Sequence, residues 1–237
     1  MPSLAHYAKH HLNLDLTEQQ IAQFNQLTDE LLEWNQRMNL TAIKDPDEIM
    51  IKHHLDSLTL TKVIHQFDGL QMIDVGTGAG FPGLALAIAF PKLHVTFLDS
   101  TGKKLKFIEH IKQALGLDNI ETLHARAEDV GRDKHYREAY DIVTARAVAR
   151  MPALMEYTLP LCKLEGQVVA MKGSTAYDET NSAAKAIKEL GGELFSIEEI
   201  ALPTIDTPRY LVVVDKLDPT PKQYPRSVGI PTREPIE

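Results

Sequence analysis

The chain contains a single cysteine, Cys162, in 237 residues. A lone thiol excludes an internal disulfide framework and any cysteine-based metal site within one chain. Long apolar runs are missing too. The longest, "LALAIAF" at 84–90, is far too short to cross a bilayer. The opening "MPSLAHYAKHHLNLDL" has no basic leader followed by an apolar block, so no secretory signal or membrane is expected, and a cytoplasmic protein is the simplest expectation. His6, His10 and His11 have helical spacing, but no acid or cysteine joins them, and no metal is expected. An excess of positive charge is missing as well: 25 basic side chains face 33 acidic ones, for a net charge of -8. It is unevenly spread, because residues 1–99 hold 6 basic and 12 acidic side chains whereas 100–150 hold 10 basic and 8 acidic. Any nucleic-acid partner must therefore meet a local basic surface, without long-range attraction.

What is present is an ordinary globular composition, 43% hydrophobic and 24% charged, without repeats. Residues 1–65 read as a helical extension. Ile21, Phe24, Leu27, Leu31 and Trp34 recur at spacings of three and four, and Thr17 with Gln20 forms a candidate capping box. In "DPDEIMIKHHLDSLTLTKVI", Asp45 is a candidate N-cap and Pro46 a first helical residue.

From about Gly69 the pattern changes to short apolar runs alternating with helical stretches. "QMIDV", "HVTFLD", "IETLHA", "YDIVTA", "GQVVAMK", "GELFSIEEI" and "RYLVVVD" make seven strand candidates over residues 66–216. Such alternation predicts an α/β fold, a mostly parallel sheet covered by helices. Only "ALPTIDTP" separates the last two runs, which predicts a hairpin and one antiparallel strand. Residues 217–237 carry five prolines and read as an extended arm.

"MIDVGTGAGFPGLALAIAF", from Met72, follows the first strand with Gly76, Gly78 and Gly80. Glycines there permit positive φ and close approach of a ligand to backbone amides. Gly78, Gly80 and Gly83 also match the dinucleotide fingerprint, so the turn alone leaves the ligand open. Asp99, at the end of the second strand and followed by Ser100, suits the two hydroxyls of an adenosine ribose in either case. Three features favour S-adenosylmethionine over a dinucleotide. Asp74 puts a carboxylate where a pyrophosphate is repelled and a sulfonium welcomed. Ala127 and Glu128 follow the third strand, where an adenine can be held. The terminal hairpin departs from an all-parallel dinucleotide fold.

Methyl transfer then needs an acceptor. Cys162 in "LPLCKLEG" reads as a buried small apolar group, so carbon-5 methylation through a cysteine adduct is not indicated. The Asn/Asp-Pro-Pro-aromatic turn common in adenine amino-group methylation is missing at the fourth strand tip. A ring nitrogen with its own lone pair, such as guanine N7, requires neither. Arg146, just past that strand, is expected to be exposed at the ligand-binding edge, holding the cofactor carboxylate, a phosphate or a guanine edge. Lys172 at the end of "GQVVAMKG" and Arg209 before the last strand are candidate substrate contacts.

"WNQRMNLTAIKDPDEIMIKHHLDSL", "IDVGTGAGFPGLALAI", "FLDSTGKKLKFI", "ARAEDV", "TARAVA" and "MKG", in this order and spacing, resemble the bacterial small-subunit ribosomal RNA guanine-N7 methyltransferases, the glucose-inhibited division protein B family. The resemblance runs from about Leu27 onward, and "TPKQYPRSVGIPTREPI" looks like the tail of the family's Gram-positive branch. It implies a class I S-adenosylmethionine-dependent methyltransferase, Rossmann-like, with an N-terminal helical extension. It also implies methylation of N7 of guanine 527 in the 530 loop of 16S rRNA. Carried over by motif, Gly76, Phe81, Ala127, Glu128 and Arg146 are implied cofactor contacts. "KHHLDS" belongs to the match, and its His54 is a candidate substrate contact. The resemblance carries no catalytic base, so Arg146 and Lys172 stand as positioning candidates. The expected partner is 16S rRNA, within the 30S subunit or an assembly intermediate, met by a monomer. An NAD(P)-dependent oxidoreductase and a non-enzymatic assembly or division factor are the competing readings.

Overall fold

The structure, a computed structural model, describes residues 2–237. Helix α1 (Leu4–Leu12) is capped by Ser3, and α2 (Glu18–Met38) starts with the Thr17–Gln20 capping box. Asp45 caps α3 (Pro46–Ile49), with Pro46 in its first turn, where no amide partner is lost. The same helix then widens into a π turn over Met50–Leu55, returns as α4 (Asp56–Leu58), and tightens over Thr59–Lys62. Helical periodicity cannot foretell that widening. It matters because π turns concentrate at functional sites, and this one carries Lys52, His53 and His54.

The sheet then builds as expected. It comprises β1 (Gln71–Val75), β2 (His94–Asp99), β3 (Ile120–His124), β4 (Tyr140–Arg146), β5 (Cys162–Lys172), β6 (Gly192–Ile200) and β7 (Arg209–Lys216). Intervening helices are α5 (Gly83–Ala89), α6 (Gly102–Leu115), α7 (Ala127–Val130), α8 (Met151–Thr158), α9 (Ala176–Ser182) and α10 (Ala184–Glu189). Strand order is β3-β2-β1-β4-β5-β7-β6, with β7 running antiparallel between β5 and β6. The order reverses between β1 and β4, so the crevice beyond their carboxyl ends is where a ligand belongs. The helical stretch between β5 and β6 is interrupted at Ala183, which separates α9 from α10.

Alternate strand residues feed two cores, as the two-residue period of a strand requires. Met72, Val95, Phe97, Ile142 and Val169 pack with α2, α5 and α6 and with the helices before the sheet. Ile73, Val75, Leu98, Val143 and Val168 pack with α8 and α10 on the other face. The proline-rich arm is not extended. It folds back, forms a single turn, α11 (Ile230–Arg233), and places Tyr224 and Ile236 in the second core. Arg137 donates to the carbonyls of Thr220 and Tyr224 and Arg132 to that of Pro225, giving the bends hydrogen-bond partners that prolines cannot supply.

Candidate functional site

The glycine turn bends over the tip of β2. Gly76 and Thr77 N–H both donate to Leu98 O, and Gly78 N–H donates to Asp99 Oδ2 at 3.0 Å. Asp99 Oδ1 accepts from Thr101 N–H at 2.7 Å. One carboxylate therefore fixes both the turn and the start of α6. Gly78 has φ 61°, and a side chain there would enter open space, with no atom nearer than Gly76 O at 4.0 Å. Gly83 differs. An added Cβ would lie 2.4 Å from the Phe97 ring, so this glycine serves helix–sheet packing rather than ligand approach.

A cavity of about 360 Å³ opens along the strand tips. Gly76, Asp99, Ser100, Ala127 and Glu128 line it, which brings five of the expected cofactor contacts together. Their order follows the sheet, from the turn after β1, past the acid ending β2, to the pair after β3. Three other expected contacts lie behind the wall. Gly80 abuts Leu84 of α5. Asp74 is fully buried, with Oδ2 accepting from Thr77 Oγ1 and Gly83 N–H, and burial raises its pKa to about 6. It braces the turn from beneath instead of facing the cavity, and its Oδ1 has no partner among the described residues. Phe81 is 3% exposed and stacks on His53 at 4.8 Å.

A second cavity, of about 630 Å³, adjoins the first and shares Val148, Ala149 and Arg150 with it. The partition starts at Ala147, whose φ of 57° is uncommon for a residue with a side chain. This kink sends Arg146 into the second cavity and Val148 over Gly76, where its Cγ2 would be 2.7 Å from an added Cβ. Such strain concentrates at functional sites.

The second cavity gathers Arg146, Lys172 and Arg209, together with His53, Asp56 and Tyr210. Arg146 is not freely exposed. Its Nη1 donates to Asp56 Oδ2 at 2.9 Å and Lys52 O at 3.1 Å, and its Nη2 donates to His53 Nδ1 at 3.2 Å. Accepting there makes Nε2 the protonated nitrogen of His53, and it donates to Thr41 Oγ1 at 2.8 Å. Both ring nitrogens are thus engaged. Burial, reinforced by the Arg146 charge, lowers the His53 pKa to about 3, so the ring is neutral.

Lys172 is only 9% exposed in its side chain, and its ammonium donates to Ala149 O (2.6 Å) and Glu179 (2.8 Å). It holds the partition in place and is not free for a phosphate. Arg209 has no ion-pair partner among the described residues, which leaves it the available cation. His54 is not part of this site. It lies 1% exposed, with Nε2 against Thr28 Oγ1 and its pKa lowered to about 3, chiefly by burial. Its neighbour His53 takes the place expected of it. Helical spacing could not separate the two, because the π turn rotates their directions. Asp56 and Tyr210 carried no signal beyond the "KHHLDS" match and the strand end.

A family model described as "rRNA small subunit methyltransferase G" matches residues 20–205. The chain belongs to this family. Among curated relatives carrying the name "Ribosomal RNA small subunit methyltransferase G", that of Roseiflexus castenholzii is 48% identical over 223 residues, covering 94% of each chain. That of Desulfitobacterium hafniense is 43% identical over 233 residues, covering 98% of this chain and 96% of its own. As a member, the chain is an S-adenosylmethionine-dependent methyltransferase. The oxidoreductase reading falls with that membership.

Solved structures extend the likeness at the level of fold. A SAM-dependent O-methyltransferase from Thermotoga maritima superposes with a TM-score of 0.53 at 17% identity, covering 82% of this chain and 72% of its own. TrmN from Thermus thermophilus gives 0.53 at 20% identity over 68% of this chain and 48% of its own. The Rossmann-like class I fold is thereby established. No helix among the described residues is long and apolar enough to cross a membrane.

Proposed function

We propose that the chain methylates N7 of a guanine in small-subunit ribosomal RNA, guanine 527 of the 16S molecule, with the donor in the first cavity and the base in the second. The carrying observation is the shared partition, Val148–Arg150, which sets the cavity that holds Asp99 and Glu128 directly against the one that holds Arg146 and Arg209. The first cavity fits the donor chemically. Asp99 and Glu128 are acceptors for hydroxyl and amino hydrogens, and Gly76 brings the backbone of the turn to the cavity wall, with Gly78 just beyond it. Bound there, S-adenosylmethionine supplies an electrophilic methyl group.

Guanine N7 attacks through its own lone pair and loses no proton, so the reaction needs no general base. The site agrees with that requirement, because His53 is neutral with both nitrogens occupied. Catalysis then rests on alignment. Arg146, oriented by Asp56 and His53, and the unpaired Arg209 offer donors to O6 and to phosphate oxygens. Lys172 fixes the partition through Ala149. Residues 1–65 form the acceptor-side extension, 66–216 the donor-binding unit, and 217–237 the arm. The substrate is the RNA within a 30S particle or assembly intermediate, engaged by a monomer, since an acidic chain gains little from bare RNA at a distance.

Tritiated methyl transfer to 30S particles and to naked 16S rRNA, with the modified nucleotide mapped by mass spectrometry, tests this reading. One N7-methylguanosine in the 530 loop is expected. Absence of incorporation into either substrate, by protein that still binds donor, refutes it and favours a non-catalytic assembly role.

A further inference from the structure

The family model ends at residue 205, and the arm lies beyond it. The arm nevertheless reaches the donor cavity, because Thr232, Pro235 and Glu237 line it beside Ala127, Glu128 and Tyr157. It is built in rather than merely adjacent. Glu156 of α8, fully buried, receives Arg226 N–H at 2.6 Å, Nη2 at 2.6 Å and Nε at 3.0 Å. The next residue of α8, Tyr157, places its hydroxyl 2.6 Å from Thr232 Oγ1. Between these anchors, Gly229 N–H donates to Glu128 Oε1 at 3.0 Å. Glu128 is 5% exposed, and its Oε2 has no protein partner among the described residues.

Position along the sheet says which part of the donor meets the arm. The glycine turn ends β1 and Asp99 ends β2, while Ala127 and Glu128 follow β3, the outermost strand. A donor laid along these tips puts its methyl end at the partition and its base at the β3 end. Resting on the donor reading above, we propose that the arm is part of the donor site: Thr232 and Pro235 wall the adenine, and the Gly229 amide orients Glu128 so that Oε2 accepts from the exocyclic amino group. An adenine face covered by Pro235 leaves water, and a carboxylate already held loses little freedom on binding.

Calorimetry with S-adenosylhomocysteine, comparing the full chain with a variant lacking residues 228–237, tests this. The deletion keeps the Arg226–Glu156 anchor. Its affinity should fall about tenfold or more, as expected for losing one buried apolar contact and one oriented acceptor. Full-strength binding by a deletion variant that melts cooperatively overturns the proposal and leaves the donor reading standing. Full chain that binds no S-adenosylhomocysteine refutes the donor reading, and the arm's role with it. Where the deletion variant does not fold, tryptic cleavage after the exposed Arg233 of the native chain decides. Saturating S-adenosylhomocysteine should slow it several-fold, and an unchanged rate overturns the proposal.

Discussion

Arg146 Nη1 lies 2.9 Å from Asp56 Oδ2, so the tip of β4 is tied to the helical region 90 residues earlier in the chain. Asp56 is 5% exposed, and burial raises its pKa even against the pull of Arg146. The pair therefore couples the second cavity to the N-terminal helices, and each member depends on the other for charge compensation.

Arg146→Ala should accordingly damage both function and fold. It strands a buried carboxylate, at a cost of about 3 kcal/mol, and methyl transfer per folded molecule should fall about a hundredfold through lost alignment. Asp56→Asn, which keeps the shape, should fold better and show an intermediate loss. Urea unfolding with tritium incorporation per mole of folded protein checks both. Wild-type transfer by folded Arg146→Ala excludes the arginine from the acceptor site.

Two glycines of one motif should respond in opposite ways. Gly78→Asp faces open space, so it should cost about 1 kcal/mol for its left-handed backbone while abolishing donor binding. Gly83→Ala drives a methyl into Phe97 and should lose several times more stability, about 3 kcal/mol, from overpacking. Calorimetric donor titration beside thermal melts separates the cases, and retained donor affinity in Gly78→Asp would count against the placement of the ligand.

Acid should weaken the fold through the paired histidines. His53 and His54 titrate near 6.5 when unfolded and near 3 when folded. As pH falls from 6.5 toward 3, the unfolded chain takes up protons that the folded chain refuses, and each histidine removes up to about 1.4 kcal/mol per pH unit. Asp74, between 3.8 and about 6, and Asp56, whose pKa burial also raises, act oppositely, because the folded state holds their extra protons. Urea midpoints should therefore drop most steeply between pH 6.5 and about 6, where the histidines act without that offset. His54→Leu should flatten that slope, since Thr28 Oγ1 keeps its bond to Phe24 O. An unaltered slope would show that His54 does not carry the effect.

Cys162 should be inert in the native state. Its thiol is fully buried, and burial pushes its pKa up to about 12. Thiol reagents at pH 8 should modify it only at the rate of unfolding, and completely in denaturant. Rapid modification of the native protein would contradict the buried placement.

Local patterning alone determined the seven strands, the antiparallel β7, the caps at Thr17 and Asp45, and the cavity contacts Gly76, Asp99 and Glu128. These follow from alternation, turn chemistry and motif spacing, which act over a few residues and survive in a one-dimensional reading. Tertiary structure alone decided which charges are free. Lys172 and Arg209 look alike in sequence, yet one is bonded to Glu179 and Ala149 while the other is unpaired. It also chose His53 over His54, by a π turn that periodicity cannot express. The arm, read as extended from its prolines, was folded against Glu128 and Tyr157 by hydrogen bonds from residues 70 or more positions away. Long-range partners of this kind leave no local trace, because the energy that selects them arises only when the sheet has assembled.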